Sequence, residues 1–140
     1  MAELRVEHPS VVLVLASREA CDAFEPPDGA TRMHIAPREL MLVDAPDVAE
    51  VRVPSGPDPW VEDVSEAWVA LVLEGVDAPA AFARLSELEL PDDGWIQGEV
   101  AGAAAKVIVA GERITILAPA MLATHVEDRI RTDAAEVLGS

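Results

Sequence analysis

Between Asp63 and Ile130 the chain reads as a strand running into a helix, then hairpin strands, then a second strand running into a second helix. Trp68-Val69-Ala70-Leu71-Val72-Leu73 is apolar on both faces of an extended segment, which places it in the interior of a sheet. After Gly75, Asp77 stands where a carboxylate is expected to accept from first-turn amides. Pro79 follows at an early helical position that needs no donor. Phe82, Leu85 and Leu88 then repeat on one helical face, with Arg84 and Glu87 turned to water. Pro91-Asp92-Asp93-Gly94 ends the element in a turn. Trp95 to Val100, Ala104 to Ala110 and Arg113 to Leu117 are expected as successive strands, with a tight connection at Ala110-Gly111-Glu112. Pro119 opens the second helix, which carries Leu122, Val126 and Ile130 at intervals of four and ends near Thr132. Asp133 is expected to cap a short tail helix through Leu138. That order predicts an α+β fold: an antiparallel or mixed sheet with helices on one face, containing a ferredoxin-like split βαβ element.

Upstream the pattern is less regular. Val11 to Leu15 is a continuous aliphatic run and predicts a strand buried on both faces. Ser17 is placed to cap a short helix reaching Phe24, and Glu25-Pro26-Pro27-Asp28-Gly29 must break it, because consecutive prolines lack amide donors. Thr31 to Ile35 and Glu39 to Val43 flank Ala36-Pro37-Arg38, an arrangement that fits two short strands or one strand with a turn. Val48 to Val53 alternates like a half-buried strand. Pro54 to Pro59, with three prolines in six residues, is expected as an exposed loop inside one compact domain spanning residues 1–140.

A chain of 140 residues with 51% hydrophobic content is long enough to build a real core. With 26 acidic against 10 basic residues, the formal charge of −16 repels phosphate backbones and anionic headgroups, so neither nucleic acid nor membrane is an expected partner. The run from Val11 to Ala16 is far too short for a membrane span or a secretory leader. Cys21 is the only cysteine, which excludes an intrachain disulfide and a thiolate metal cluster, and a reducing, cytoplasmic setting is expected.

Reactive constellations are sparse. His8, His34 and His125 have no pair at helical metal-binding spacing. Cys21 has only Arg18 as a nearby basic group and reads as a small buried hydrophobe rather than a nucleophile. Asp92-Asp93 before Gly94 has the chemistry of a turn more than that of paired catalytic acids. Gly94, Gly98, Gly102 and Gly111 match no phosphate-binding loop. No catalytic, cofactor-binding or metal-binding residue is expected in this chain. Surface aromatic residues remain. Trp60, following the proline-rich loop, is the leading interface candidate together with Pro57, Pro59 and Trp95, whereas Trp68 is expected in the core.

Asp63-Val64-Ser65, Gly75-Val76-Asp77-Ala78 and Phe82 resemble the amino-terminal region of folate-binding aminomethyltransferases of the glycine cleavage T-protein type. Ile35-Ala36-Pro37-Arg38-Glu39-Leu40-Met41-Leu42-Val43 is similar to the segment that precedes the same region in gamma subunits of heterotetrameric sarcosine oxidases. The chain departs from that pattern at Met33-His34, Ala36 and Leu40, where the family carries tryptophan and glycine; a relative serving another N-methyl amine oxidase also fits. The resemblance covers about Met33 to Ile130. It implies a non-catalytic accessory subunit of a flavin- and folate-linked amine oxidoreductase, with larger flavoprotein subunits as partners. It also implies that flavin and tetrahydrofolate are held by those partners and that none is held by this chain alone. The alternative is a stand-alone folate- or small-anion-binding protein of T-protein-like fold.

Overall fold

Nine strands and three α-helices account for the regular structure of the described residues, and every strand pairing within the two sheets is antiparallel. The computed structural model describes residues 1–45, 47–48, 51 and 59–139. Its contacts divide into two units, residues 1–8 with 66–140, and residues 9–65.

The larger unit holds β1 (Glu3–Glu7), β6 (Trp68–Glu74), β7 (Gly94–Val100), β8 (Ala103–Ala110) and β9 (Arg113–Pro119) in one sheet of order β1-β6-β9-β8-β7. The two expected strand–helix units are both present, and their strands lie side by side: β6 leads into α2 (Ala78–Ala83), and β9 leads into α3 (Ala123–Asp133). Strand alternation sends Leu71 and Leu73 of β6 to the same face as Ile114 and Ile116 of β9 and Val107 and Val109 of β8. Ala78, Ala81 and Phe82 of α2 and Val126 and Ile130 of α3 complete that core, so both helices cover one face. Phe82 is 1% exposed and is among the largest fully buried side chains.

The smaller unit holds a sheet of order β3-β4-β2-β5, from β2 (Val11–Leu15), β3 (Thr31–Ala36), β4 (Glu39–Val43) and β5 (Trp60–Asp63). Val12 and Val14 of β2 lie opposite Leu42 and Leu40 of β4, and Cys21 and Phe24 from α1 (Arg18–Ala23) and its end pack on that face. The Ser17 hydroxyl accepts from the Ala20 amide at 3.1 Å, which satisfies a first-turn donor as expected.

Several local expectations are corrected. The Asp77 carboxylate makes no cap hydrogen bond; it lies 3.2 Å from the Met1 ammonium, an ion pair that competes for the oxygen the cap would need. Helix α2 ends at Ala83 rather than reaching Leu88, because the Ser86 hydroxyl donates to the Glu99 carbonyl at 2.7 Å and accepts from the Leu88 amide at 3.1 Å. That local side-chain turn replaces another helical turn. Pro119 is the last residue of β9, and a 3₁₀ turn at Ala120–Leu122 precedes α3. Asp133 is the last residue of α3, its carboxylate held by Arg129 at 2.9 Å, and the tail is a 3₁₀ turn at Ala135–Val137 that Asp133 does not cap. The strand expected at Val48 to Val53 is not seen at Val48 and Val51: the Val51 amide donates to the Val48 carbonyl at 3.2 Å, a bond within one turn. Its other residues, like Pro54 to Asp58 of the proline-rich loop, lie outside the described residues. Among the described residues no helix is long and apolar enough to cross a membrane.

Candidate functional site

Trp60 occupies the first position of β5, opposite Leu15 of β2, at one edge of the smaller unit's sheet. Trp60 is 59% exposed, far more than a large aromatic residue normally leaves to water. Strand alternation puts Trp60 and Glu62 on one face, and the indole Nε1 donates to the Glu62 carboxylate at 3.2 Å, which orients the ring. Val61 points the other way and packs against the core of that unit. Asp63 closes the strand. Its carboxylate accepts from the Ser65 amide at 2.9 Å, and the Ser65 hydroxyl and amide hold the Asp63 carboxyl below the usual carboxylate range. Ser65 also anchors the end of β5, its hydroxyl accepting from the Val11 amide at 2.8 Å.

Of the other interface candidates, Pro59 is exposed next to Trp60, and Pro57 lies outside the described residues. Trp95 belongs to the larger unit, where it sits half-buried on β7 opposite Ile108. Trp68 is half-buried on β6, with the Lys106 ammonium 5.7 Å from its ring centroid. In the sequence Glu62 carries no signal, and Ser65 stands out only within the Asp63-Val64-Ser65 resemblance. A strand of only four residues, half of them acidic, carries little periodicity, and the tryptophan was its only conspicuous signal.

Cys21 is fully buried, and burial pushes its thiol pKa up, so the thiolate that a nucleophile requires is disfavoured. His34 Nδ1 lies 3.6 Å from Asp22 while its Nε2 shares a hydrogen bond with the Pro37 carbonyl at 3.2 Å. His125 is exposed on α3 and shares a hydrogen bond with the Ala101 carbonyl at 3.2 Å; His8 is exposed. Asp92 and Asp93 are exposed in the bend before Gly94. Among the described residues no three histidine, cysteine or carboxylate side chains gather as a metal-binding group.

A depression of about 550 Å³ runs along the end of α2 and β7, lined in part by Arg84, Ser86, Glu87, Leu88 and Glu99. Arg84 is its one cation, and the guanidinium lies 3.5 Å from Glu136 and donates to the Asp133 carbonyl at 3.4 Å. With Glu87 and Glu99 in the same wall, the local field opposes an anionic ligand such as folate.

No family model matches the sequence, and no curated protein matches it. A chain of the heterotetrameric sarcosine oxidase from Corynebacterium sp. U-96, solved in complex with pyrrole 2-carboxylate, has the same fold. The TM-score is 0.78 at 15% identity, over 99% of this chain and 86% of that one. A regulatory domain of aspartate kinase from Porphyromonas gingivalis w83 aligns with a TM-score of 0.45 at 10% identity over 95% of this chain and 96% of that chain. The aspartate kinase regulatory subunit of Thermus thermophilus gives 0.42 at 12% over 93% and 95%. The α+β class read from the sequence is the class observed.

Proposed function

We propose that this chain is a non-catalytic accessory subunit, of the gamma type, of a heteromeric flavin- and folate-linked amine oxidoreductase such as sarcosine oxidase. The observation that carries this reading is the end-to-end likeness to one chain of a heterotetrameric sarcosine oxidase. Coverage of 99% of this chain and 86% of that chain means that the matched chain is only slightly longer than this one, as a small subunit would be. The segment that resembles the gamma family, Ile35 to Val43, and the T-protein-like segment from Gly75 to Phe82 lie on structured parts of the same fold.

In this reading the chain braces a larger flavoprotein chain, and the flavin and tetrahydrofolate are bound by partner subunits in the cytoplasm. Trp60, Pro57, Pro59 and Trp95 contribute to the contact. The acidic surface speeds encounter with a basic partner face and rejects like-charged ones. The buried thiol of Cys21 and the Arg84 side chain engaged by Glu136 support a bracing role over chemistry in this chain.

The test is turnover. The purified solitary chain is expected to leave N-methyl amines unoxidised, with or without added flavin and tetrahydrofolate. The complex purified from the source cells through a tag on this chain is expected to oxidise them and to show flavin absorbance. Oxidation by the solitary chain, or a purified species with neither a second chain nor flavin, overturns the reading.

A further inference from the structure

A β-sheet edge exposes unpaired amides and carbonyls, and proteins guard such edges with bulges, covering segments, charges or short length. Among the described residues, three of the four sheet edges carry a structural guard. The tail meets the start of the β1 edge, where the Ala2 amide donates to the Val137 carbonyl at 2.8 Å and the Gly139 amide donates to the Ala2 carbonyl at 2.7 Å. At β7, the Ser86 hydroxyl occupies the Glu99 carbonyl, and Leu88 lies so close over Gly98 that an added Cβ would meet its Cδ2 at 2.6 Å. At β3, the register with β4 shifts between His34 and Ala36, a bulge that interrupts the ladder.

Strand β5 has none of these. It pairs with β2 in unbroken register from Trp60 to Asp63, contains no proline or lysine, and among the described residues has no covering segment. Its guards are its shortness and the two exposed carboxylates of Glu62 and Asp63. A carboxylate guard is selective. A second copy of this strand would add like charge to both faces of the pairing, whereas an extended segment bearing lysine or arginine would be drawn in.

We infer that β5 is a docking edge for strand addition, and that its occupant is an extended, basic segment of the larger partner chain. Backbone pairing with β5 supplies the register, Glu62 and Asp63 select cationic side chains, and the exposed Trp60 indole is the apolar anchor. The inference rests on the accessory-subunit reading, which supplies the partner. It goes beyond that reading in fixing where and how the partner is held.

Amide hydrogen exchange on the native complex and on the isolated chain tests the edge directly. Residues 60–63 are expected to exchange at least tenfold more slowly in the complex. The double variant Glu62→Arg with Asp63→Arg is expected to recover less than a tenth as much partner as the unaltered chain. The pair Glu62→Gln with Asp63→Asn serves where the reversal unfolds the chain, as read by circular dichroism, and is expected to weaken recovery and flatten its salt dependence. A complex that forms with unchanged exchange at residues 60–63, or that tolerates both variants, overturns the docking edge and leaves the accessory reading standing. Failure of the unaltered chain to form any complex overturns both. Protection at these amides in the solitary chain, with a dimer seen in light scattering, makes the occupant a second copy and overturns the inference.

Discussion

The two units solve the same problem, one sheet face to be covered by helix, with unequal means. The larger unit lays two helices over a five-stranded sheet, and Phe82, Val126 and Ile130 close a core that takes fully buried side chains from every strand of that sheet but β1. Among the described residues the smaller unit covers a four-stranded sheet with the six residues of α1, Phe24, Ala45 and Val51, and its core cluster is smaller. Stability is therefore concentrated in the larger unit, whereas the proposed docking function sits on the sparer one, on a short edge strand held by hydrogen bonds of Ser65. Regions that bind partners are commonly drawn from the less stable parts of a fold.

The largest expected effect follows from that contrast. Phe82→Ala removes a fully buried ring between α2 and the sheet, and is expected to cost about 3–5 kcal/mol in denaturant unfolding. Phe24→Ala, on the smaller core, should cost less; an equal or greater loss would break the comparison. Next in size is Ser65→Ala, which leaves the Val11 amide without its acceptor and is expected to cost about 1–3 kcal/mol. Protease cutting near β5 should rise in that variant, because the clasp at the strand's end is gone.

The two helix starts sharpen the comparison further. Ser17→Ala deletes a formed cap and is expected to lower stability by about 1 kcal/mol, while Asp77→Ala deletes only an exposed ion pair and is expected to cost about 0.5 kcal/mol or less. A loss at Asp77 equal to that at Ser17 would show that its carboxylate caps α2 after all. The smallest effect is a pH dependence. The carboxyl of Asp63 titrates lower in the folded chain than the ordinary value of about 3.9. The unfolded chain therefore binds more protons as pH falls below that value. Its stabilising contribution is present above the unfolded pKa and is lost as pH falls through the folded one. Asp63→Asn should flatten the acid limb of the stability profile measured by urea titration, and an unchanged limb would remove the Ser65 hydrogen bonds as its cause.

Much of the larger unit was legible because its signals are long and redundant. The seven residues of β6, the hairpins around Ala110 and Glu112, and Val126 and Ile130 on α3 all repeat with the period of their element. The misses have local causes. The strand β1 mixes Glu3, Arg5 and Glu7 with Leu4 and Val6, and its place in the sheet comes from pairing with β6, a partner more than sixty residues away in the chain. Asp77 has cap chemistry but loses its oxygen to an ion pair, and the helical repeat from Phe82 to Leu88 continues in sequence after Ser86 has ended the helix. At the candidate site Trp60 was visible as an aromatic residue beside a proline-rich run. Its edge position and the Glu62 contact were not, since sheet order is a long-range property that no window of sequence contains.

Bracing a larger flavin-bearing chain is the central claim, and the mass of the native species tests it most directly. Native mass spectrometry of this chain, tagged and purified under gentle conditions from its source cells, is expected to give a hetero-oligomer containing a larger chain and bound flavin. Dissociation of that oligomer is expected to release this chain without cofactor. A spectrum holding this chain alone, or this chain with the flavin bound to itself, would contradict the account.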